Sequence, residues 1–115
     1  MDRTEMTDRT KKFALRVIRL VNSLPESKVG RTIGTQLLRS GTSIGANYRE
    51  AARAGTKKHF TSILTVSLRE ADETLYWLEL LEESGTIKPD LLASLSAECK
   101  ELVAILAASV KTATS

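Results

Sequence analysis

The sequence predicts an all-α protein, an antiparallel up-and-down four-helix bundle in a single domain spanning residues 1–115. Three observations carry that reading. Apolar residues recur at alternating spacings of four and three in four separate segments, the period of a helix face packed in a bundle. Connections of two to five residues join those segments, which favours antiparallel neighbours. No β-hairpin signal, internal repeat or low-complexity tract interrupts the pattern. A chain of 115 residues is long enough for a real core, and with only 4% aromatic residues that core must be mostly Leu, Ile, Val and Ala.

The first helix is expected from about Asp8 to Leu24, with a seam of Phe13, Val17, Leu20 and Leu24. Asp8 or Thr7 can cap its start, which leaves residues 1–8 as a loose extension. Pro25 ends it, because the residue before a proline resists helical geometry.

The second helix, from about Val29 to Ala54, buries Ile33, Leu37, Ile44 and Ala51, with Ser40 completing the seam. It also carries Gly30, Gly34, Gly41 and Gly45, which at 100° per residue fall within roughly a 60° arc. Each glycine in a helix interior costs about 1 kcal/mol relative to alanine, so the ridge needs a compensating close approach by another backbone. Packing within one subunit is the simplest such approach. A phosphate-binding loop would need a strand-to-helix turn and a following lysine, and neither is present. Gly55 is expected as a left-handed C-cap.

The third helix follows an N-cap at Thr56 and runs to about Ser84, with Gly85 ending it. It has two apolar seams. One is Phe60, Leu64, Ser67, Ala71, Leu75 and Leu78. The other is Ile63, Val66, Glu70, Thr74, Trp77 and Leu81. A monomeric bundle needs one seam, so a second implies either a very wide buried face or a contact with another subunit, and Ile63, Val66, Trp77 and Leu81 are the expected oligomer interface. The fourth helix starts at Pro89, a favoured first position. Its stripe is Leu91, Leu95, Cys99, Leu102, Leu106 and Ala113, flanked by the small residues Ser94, Ala97, Ala104 and Ala108.

Several function classes are disfavoured. The longest apolar run, residues 102–108, is too short to span a bilayer. The first residues carry Asp2, Arg3, Glu5, Asp8 and Arg9 rather than a signal peptide. A single cysteine, Cys99, cannot form an internal disulfide and reads as a buried structural thiol, which suits a reducing cytoplasm. The carboxylates lack the Glu-x-x-His pairs of di-iron bundles, so no metal, cofactor or small-molecule substrate is expected. His59, six residues after Arg53, is the one feature a ribonuclease could use, but Gly55 and Thr56 break the helix between them.

Charge points elsewhere. The net charge is +3, yet residues 1–60 hold thirteen Lys/Arg against five Asp/Glu, and residues 61–115 hold four against nine, an asymmetry that suits a nucleic-acid face and equally an attraction between the two halves within a subunit or between neighbours. Arg9, Lys12, Arg16 and Arg19 form one stripe on the first helix, and Arg31, Arg49 and Arg53 share the outer face of the second. A solvated face accounts for such stripes in general. Seven cations with few interspersed acids also suit an RNA or DNA backbone, bound without sequence preference because no base-reading motif accompanies them. Arg39, Ser43, Asn47 and Glu50 make a polar ladder on the second helix, and Glu70 lies inside an apolar seam of the third. A buried carboxylate needs a partner, and Arg39 is the expected one. The ladder and Glu70 are read as a structural network, with no catalytic residue assigned.

Residues 39–51, RSGTSIGANYREA, and 60–81, FTSILTVSLREADETLYWLELL, resemble the bacterial four-helix-bundle proteins encoded in intervening sequences of 23S ribosomal RNA genes. The match includes Arg39, Ser40, Ser43, Ile44, Asn47 and Glu50 on the second helix, and Phe60, Leu64, Glu70, Glu73, Tyr76, Trp77 and Leu78 on the third. It covers about residues 10–110. The resemblance implies a small cytoplasmic bundle assembling into a homopentameric ring, and the related accessory protein of diversity-generating retroelements is similarly pentameric and binds nucleic acid. Three functions follow as expectations: a non-enzymatic oligomeric nucleic-acid binder, an oligomeric scaffold for a protein partner, and, with the weakest support, a ribonuclease.

Overall fold

The computed structural model describes all of residues 1–115. Four helices fill it: α1 (Arg3–Ser23), α2 (Lys28–Ala52), α3 (Lys57–Glu83) and α4 (Pro89–Thr114). They pack side by side into a rod of 44 × 19 × 19 Å, a length that a helix of about 26 residues spans at about 1.5 Å per residue. Each helix packs on its sequence neighbour, and α1 also meets α4 along a shorter seam.

Local chemistry sets the helix starts. The Asp2 carboxylate accepts from the Glu5 N–H, Ser27 Oγ from the Gly30 N–H, and Thr56 Oγ1 from the His59 N–H. Pro89 opens α4. The start of α1 departs from expectation. Residues 1–8 are not a loose extension, because α1 begins at Arg3 and Met6 is only 2% exposed in the core. The seam of Phe13 and Val17 continues back through Thr10 and Met6, and burial there selects Asp2 as the cap. Gly85, at φ +73°, ends α3 in the left-handed region. Gly55 is not left-handed, and α2 ends instead at Arg53 with φ −102°.

The glycine ridge of α2 is consumed within the chain. A side chain on Gly41 would meet both Val17 methyls at 2.8 and 2.9 Å, one on Gly45 would meet Thr10 from 3.2 Å, and one on Gly34 would meet Leu24 at 3.1 Å. The contacts descend α1 as they ascend α2, so the ridge is a long groove that admits α1. Between α2 and α3 small hydroxyl residues do the same work. Ser67 Oγ donates to the Ile44 carbonyl at 2.9 Å, and the fully buried Ser40 and Thr74 hydroxyls lie 2.9 Å apart. Every sealed side-chain polar atom has a partner, so hydrogen bonds offset the desolvation of this polar seam.

The apolar core holds Phe13, Val17, Leu37, Ile44, Leu64, Ala71, Leu78, Leu81, Leu102 and Leu106, all at most 1% exposed. Two expected positions are corrected. Leu91 is 67% exposed, and its neighbour Leu92 is fully buried in its place. The second seam of α3 is also divided: Ile63 (9% exposed) and Leu81 (0%) lie in this chain's own core and offer no surface to a partner. Helix α3 packs on both α2 and α4, so its buried face is wide enough to take in both residues. Val66 remains exposed and Trp77 half-buried. Cys99 is buried, lies 3.4 Å from the Ala71 carbonyl, and its thiol is pushed up to about 12 by burial and by the nearby acids Asp72, Glu98 and Glu79. A thiol held protonated in this way is no nucleophile. No helix is long and apolar enough to cross a membrane.

Candidate functional site

The basic stripe of α1 divides according to which neighbour each residue faces. Arg9 turns toward α4, where its guanidinium forms a two-pronged pair with Glu98 at 2.6 and 2.7 Å and reaches Glu101 at 3.2 Å. Arg16 donates to Ser94 Oγ at 2.8 Å, also on α4. Lys12 pairs with Asp8 one turn back at 2.9 Å. Arg9 and Lys12 are thus paired with acids, Arg16 is held by a neutral hydroxyl with no ion pair, and Arg19 has neither. Arg9 and Arg16 instead clasp the α1–α4 seam.

The hydrogen bonds from Arg9 hold the Glu98 carboxyl below its usual range, outweighing partial burial, while Arg9 is raised in turn. Because Glu98 titrates lower in the folded state, its contribution to stability is complete above the ordinary carboxylate range, near pH 4.5, and is lost as pH falls toward the depressed value. Replacing Glu98 with Gln is expected to cost about 1–2 kcal/mol at pH 7, as a partly buried charged hydrogen bond does. The loss should shrink steadily in denaturant melts between pH 5 and pH 3. An equal loss at pH 7 and pH 3 would show that the pair contributes no pH-dependent stability.

The free cations gather elsewhere. Arg3 and Lys11 on the other flank of α1, with Arg49 and Arg53 on α2, line one groove between the two helices. None of the four makes an ion pair within the chain. The groove floor is small, with Ala14, Gly45, Ala46 and Ala52, and the hydroxyls of Thr4, Thr7 and Thr42 line its walls. Its one acid, Asp8, is the partner of Lys12. Arg31 does not join the groove. It lies on the same face of α2 as Arg49 but 18 residues away, about 27 Å along the axis, beside Glu26 and Pro25.

The groove belongs to a charged end of the rod. Residues 1–12, 42–68 and 102–115, the half around the α2–α3 turn, carry nine Lys/Arg and four Asp/Glu, a net +5. The other half, residues 13–41 and 69–101, carries eight and ten, a net −2. Sequence halves concealed this polarity, because each end of the bundle draws on all four helices. Lys11 and Arg3 were missed for the same reason. The signal that finds them is Arg3, Thr7, Lys11 and Ala14 at helical spacing, one flank away from the stripe through Arg9.

The polar ladder is partly a network. Arg39 binds Glu70 at 3.0 Å as expected and also Glu73, whose carboxylate accepts from Trp77 Nε1 at 3.1 Å. Glu73 was not anticipated. The Arg39 side chain is 49% exposed and the Glu70 side chain 16% exposed, so solvent reaches the pair from the Arg39 side and the cost of Arg39→Ala falls below that of orphaning a fully buried charge. Ser43 and Asn47 do not join. Their side chains bond the carbonyls of Arg39 and Ser43 on their own helix, and Glu50 is exposed with no partner. Around Arg39 and Trp77, Leu38 (39% exposed), Val66 (39%) and Tyr76 (53%) put an apolar surface on the α2–α3 face, with the Tyr76 and Trp77 rings edge to face at 5.2 Å.

Catalytic groupings are sparse. No cluster of three or more His, Cys, Asp or Glu residues is arranged to hold a metal. His59 sits exposed in the first turn of α3, and Arg53 lies beyond the helix break.

Comparison with solved structures finds a crystal structure of a protein of unknown function from the S23 ribosomal protein family of Bacteroides thetaiotaomicron. It is 36% identical, over 96% of this chain and 99% of that one, with a TM-score of 0.88. No curated protein matches the chain. The model of the 23S rRNA-intervening sequence protein family matches residues 2–108, which takes in the first helix from its cap, where the expected span was about residues 10–110. By that match, over nearly its whole length, the chain belongs to the 23S rRNA-intervening sequence protein family.

Proposed function

We propose that this protein is a non-enzymatic, oligomeric bundle that binds the phosphate backbone of RNA or DNA through its basic end. One observation carries the reading: Arg3, Lys11, Arg49 and Arg53 line a single groove without internal ion pairs. Cations already neutralised by neighbours release few counterions on binding, whereas free ones add a salt-dependent gain per phosphate contacted. The small floor lets a backbone approach closely. With no base-reading element in the groove, binding is indifferent to sequence. Opposed contact registers, with Gly34, Gly41 and Gly45 meeting Leu24, Val17 and Thr10 in reverse order, support an antiparallel up-and-down order for the helices.

The apolar surface of Leu38, Val66, Tyr76 and Trp77 is the place for a second copy of the chain, and a +5 end beside a −2 end suits a head-to-tail ring contact. The family resemblance suggests five subunits, and the cytoplasm as the compartment. Light scattering is expected to give about 63 kDa, five times the 12.6 kDa chain. A monomer mass at micromolar concentration would refute the assembly. Gel-shift titrations with generic RNA and duplex DNA should show affinity falling steeply with salt, and no shift at low salt would favour a scaffold for protein partners instead. No cleavage of either nucleic acid is expected.

A further inference from the structure

We propose that the cleft closing the basic end of the bundle, beside the groove, seats a nucleotide. Its base would lie against Tyr48 and Phe60, and its phosphate at the start of α3. The inference rests on the nucleic-acid reading of this end and names the unit recognised there. The cleft lies between the first residues of α1, the α2–α3 turn and the last turns of α4, is open to solvent, and has a volume of about 1080 Å³. That is the upper end of ordinary ligand sites. Tyr48, Phe60, Ile105 and Ala108 provide its apolar lining.

Tyr48 is the observation that points to a ligand. The residue is 7% exposed, yet its hydroxyl makes no hydrogen bond within the chain. No sealed side-chain polar atom lacks a partner, so the Tyr48 hydroxyl must keep its open side, and the cleft it lines is where that side faces. A nearly buried phenol with one unused donor and acceptor is a place for a polar atom on an otherwise apolar ring.

The anion seat is built by the backbone. Thr56 satisfies the His59 N–H, and the Phe60 N–H bonds the Thr56 carbonyl. The N–H groups of Lys57 and Lys58 donate to nothing in the chain, at the positive end of a 27-residue helix whose first turn holds no acid. Such a terminus takes phosphate through free amides and dipole together. The Lys57 side chain and Arg3 stand on the rim. Arg3 already lies over the Phe60 ring, 4.6 Å from its centroid, and a planar base can stack on the guanidinium in turn. The one acid on the rim, Asp2, is committed to the Glu5 N–H.

Shape and polarity select a nucleotide over an alkyl carboxylate. Thr112 joins Tyr48 in placing a hydroxyl with no partner in the chain on the cleft wall, where a hydrocarbon chain would leave both unpaired, while the Ser109 hydroxyl already donates to the Ile105 carbonyl at 2.9 Å. Two sources share the chemistry, a free mononucleotide and the exposed end of a single strand.

The test is an amide-resolved NMR titration of the full chain with adenosine 5′-monophosphate, inorganic phosphate and decanoate separately. The monophosphate is expected to shift the amides of residues 55–60 and 105–112. Tyr48→Phe keeps the ring and, once melting shows the fold intact, should weaken that binding about five- to tenfold, the value of one hydrogen bond. Its response to inorganic phosphate should be unchanged. Competition by a single-stranded oligoadenylate at the same amides identifies the strand end as the natural source, and its absence identifies the free nucleotide. Three results overturn the proposal: inorganic phosphate binding as tightly as the nucleotide, decanoate occupying the cleft in its place, or nucleotide shifts confined to Lys11, Arg49 and Arg53. The groove reading is judged separately, by the salt dependence of duplex binding.

Discussion

Gly41→Leu is expected to destabilise the protein by about 3 kcal/mol or more, the upper range for overpacking a close-packed interior. Its Cβ alone would sit 2.8 and 2.9 Å from the two Val17 methyls and 3.2 Å from Val17 Cβ. Rotating Val17 gives no relief, since one methyl replaces the other and Cβ does not move. Val17 is fully buried on a helix, where β-branched side chains keep one rotamer. Helices α1 and α2 must therefore separate. Gly41→Ala sets two effects against each other, a gain of about 1 kcal/mol in helix propensity and the Val17 overlap. We expect the overlap to win, and Val17→Ala added to Gly41→Ala to recover stability in a double-mutant cycle. Gly55→Ala is the control, because its Cβ would meet nothing within 4 Å. A Gly41→Leu protein that melts like the parent would show that α1 and α2 are not packed this closely.

Removing the groove cations together, as Lys11→Ala, Arg49→Ala and Arg53→Ala, is expected to weaken binding to every RNA and DNA alike by about two to three orders of magnitude at 0.1 M salt. Each duplex phosphate contact contributes a slope of about 0.9 in log affinity against log salt, a factor of about eight between 1 M and 0.1 M. Three lost contacts should thus flatten the slope by about 2–3. The contrasting variant is Arg9→Ala with Arg16→Ala. Those residues are bound to Glu98 and Ser94, so their loss should lower the melting temperature by loosening α4 while leaving the salt slope nearly unchanged. The opposite pattern, a flat slope in the Arg9 and Arg16 variant and an unchanged one in the groove variant, would return the interface to the stripe the sequence picks out.

The contrast between those two variants marks where sequence reasoning stopped. Helical periodicity places Arg9, Lys12, Arg16 and Arg19 on one stripe and says nothing of what faces it. Glu98 and Ser94 are nearly ninety and eighty residues away in the chain, and only packing of α1 against α4 brings them there. The partnership of Arg39 with Glu70 was legible, because a carboxylate inside an apolar seam demands a cation. Its exposure was not legible, since periodicity gives the direction of a side chain and not the height of its neighbours. Leu91 and Leu92 were ambiguous for a related reason: adjacent positions lie 100° apart, and a wide helix face admits either. The open Tyr48 hydroxyl had no sequence signal at all, because an unmade hydrogen bond is a property of three helix ends meeting.

What the chain determined by itself is local. Thr56 and Pro89 start α3 and α4, Pro25 and Gly85 stop α1 and α3, and the glycine ridge of α2 announces a close helix contact. Each of these depends on interactions within a few residues, so propensity, capping and periodicity suffice. Tertiary structure decided which surfaces survive. It took the ridge, Ile63 and Leu81 into the subunit, tied Arg9 and Arg16 to α4, and left Lys11, Arg49 and Arg53 free. Burial and charge pairing depend on contacts between residues far apart in sequence, and these arise only when the helices choose their neighbours.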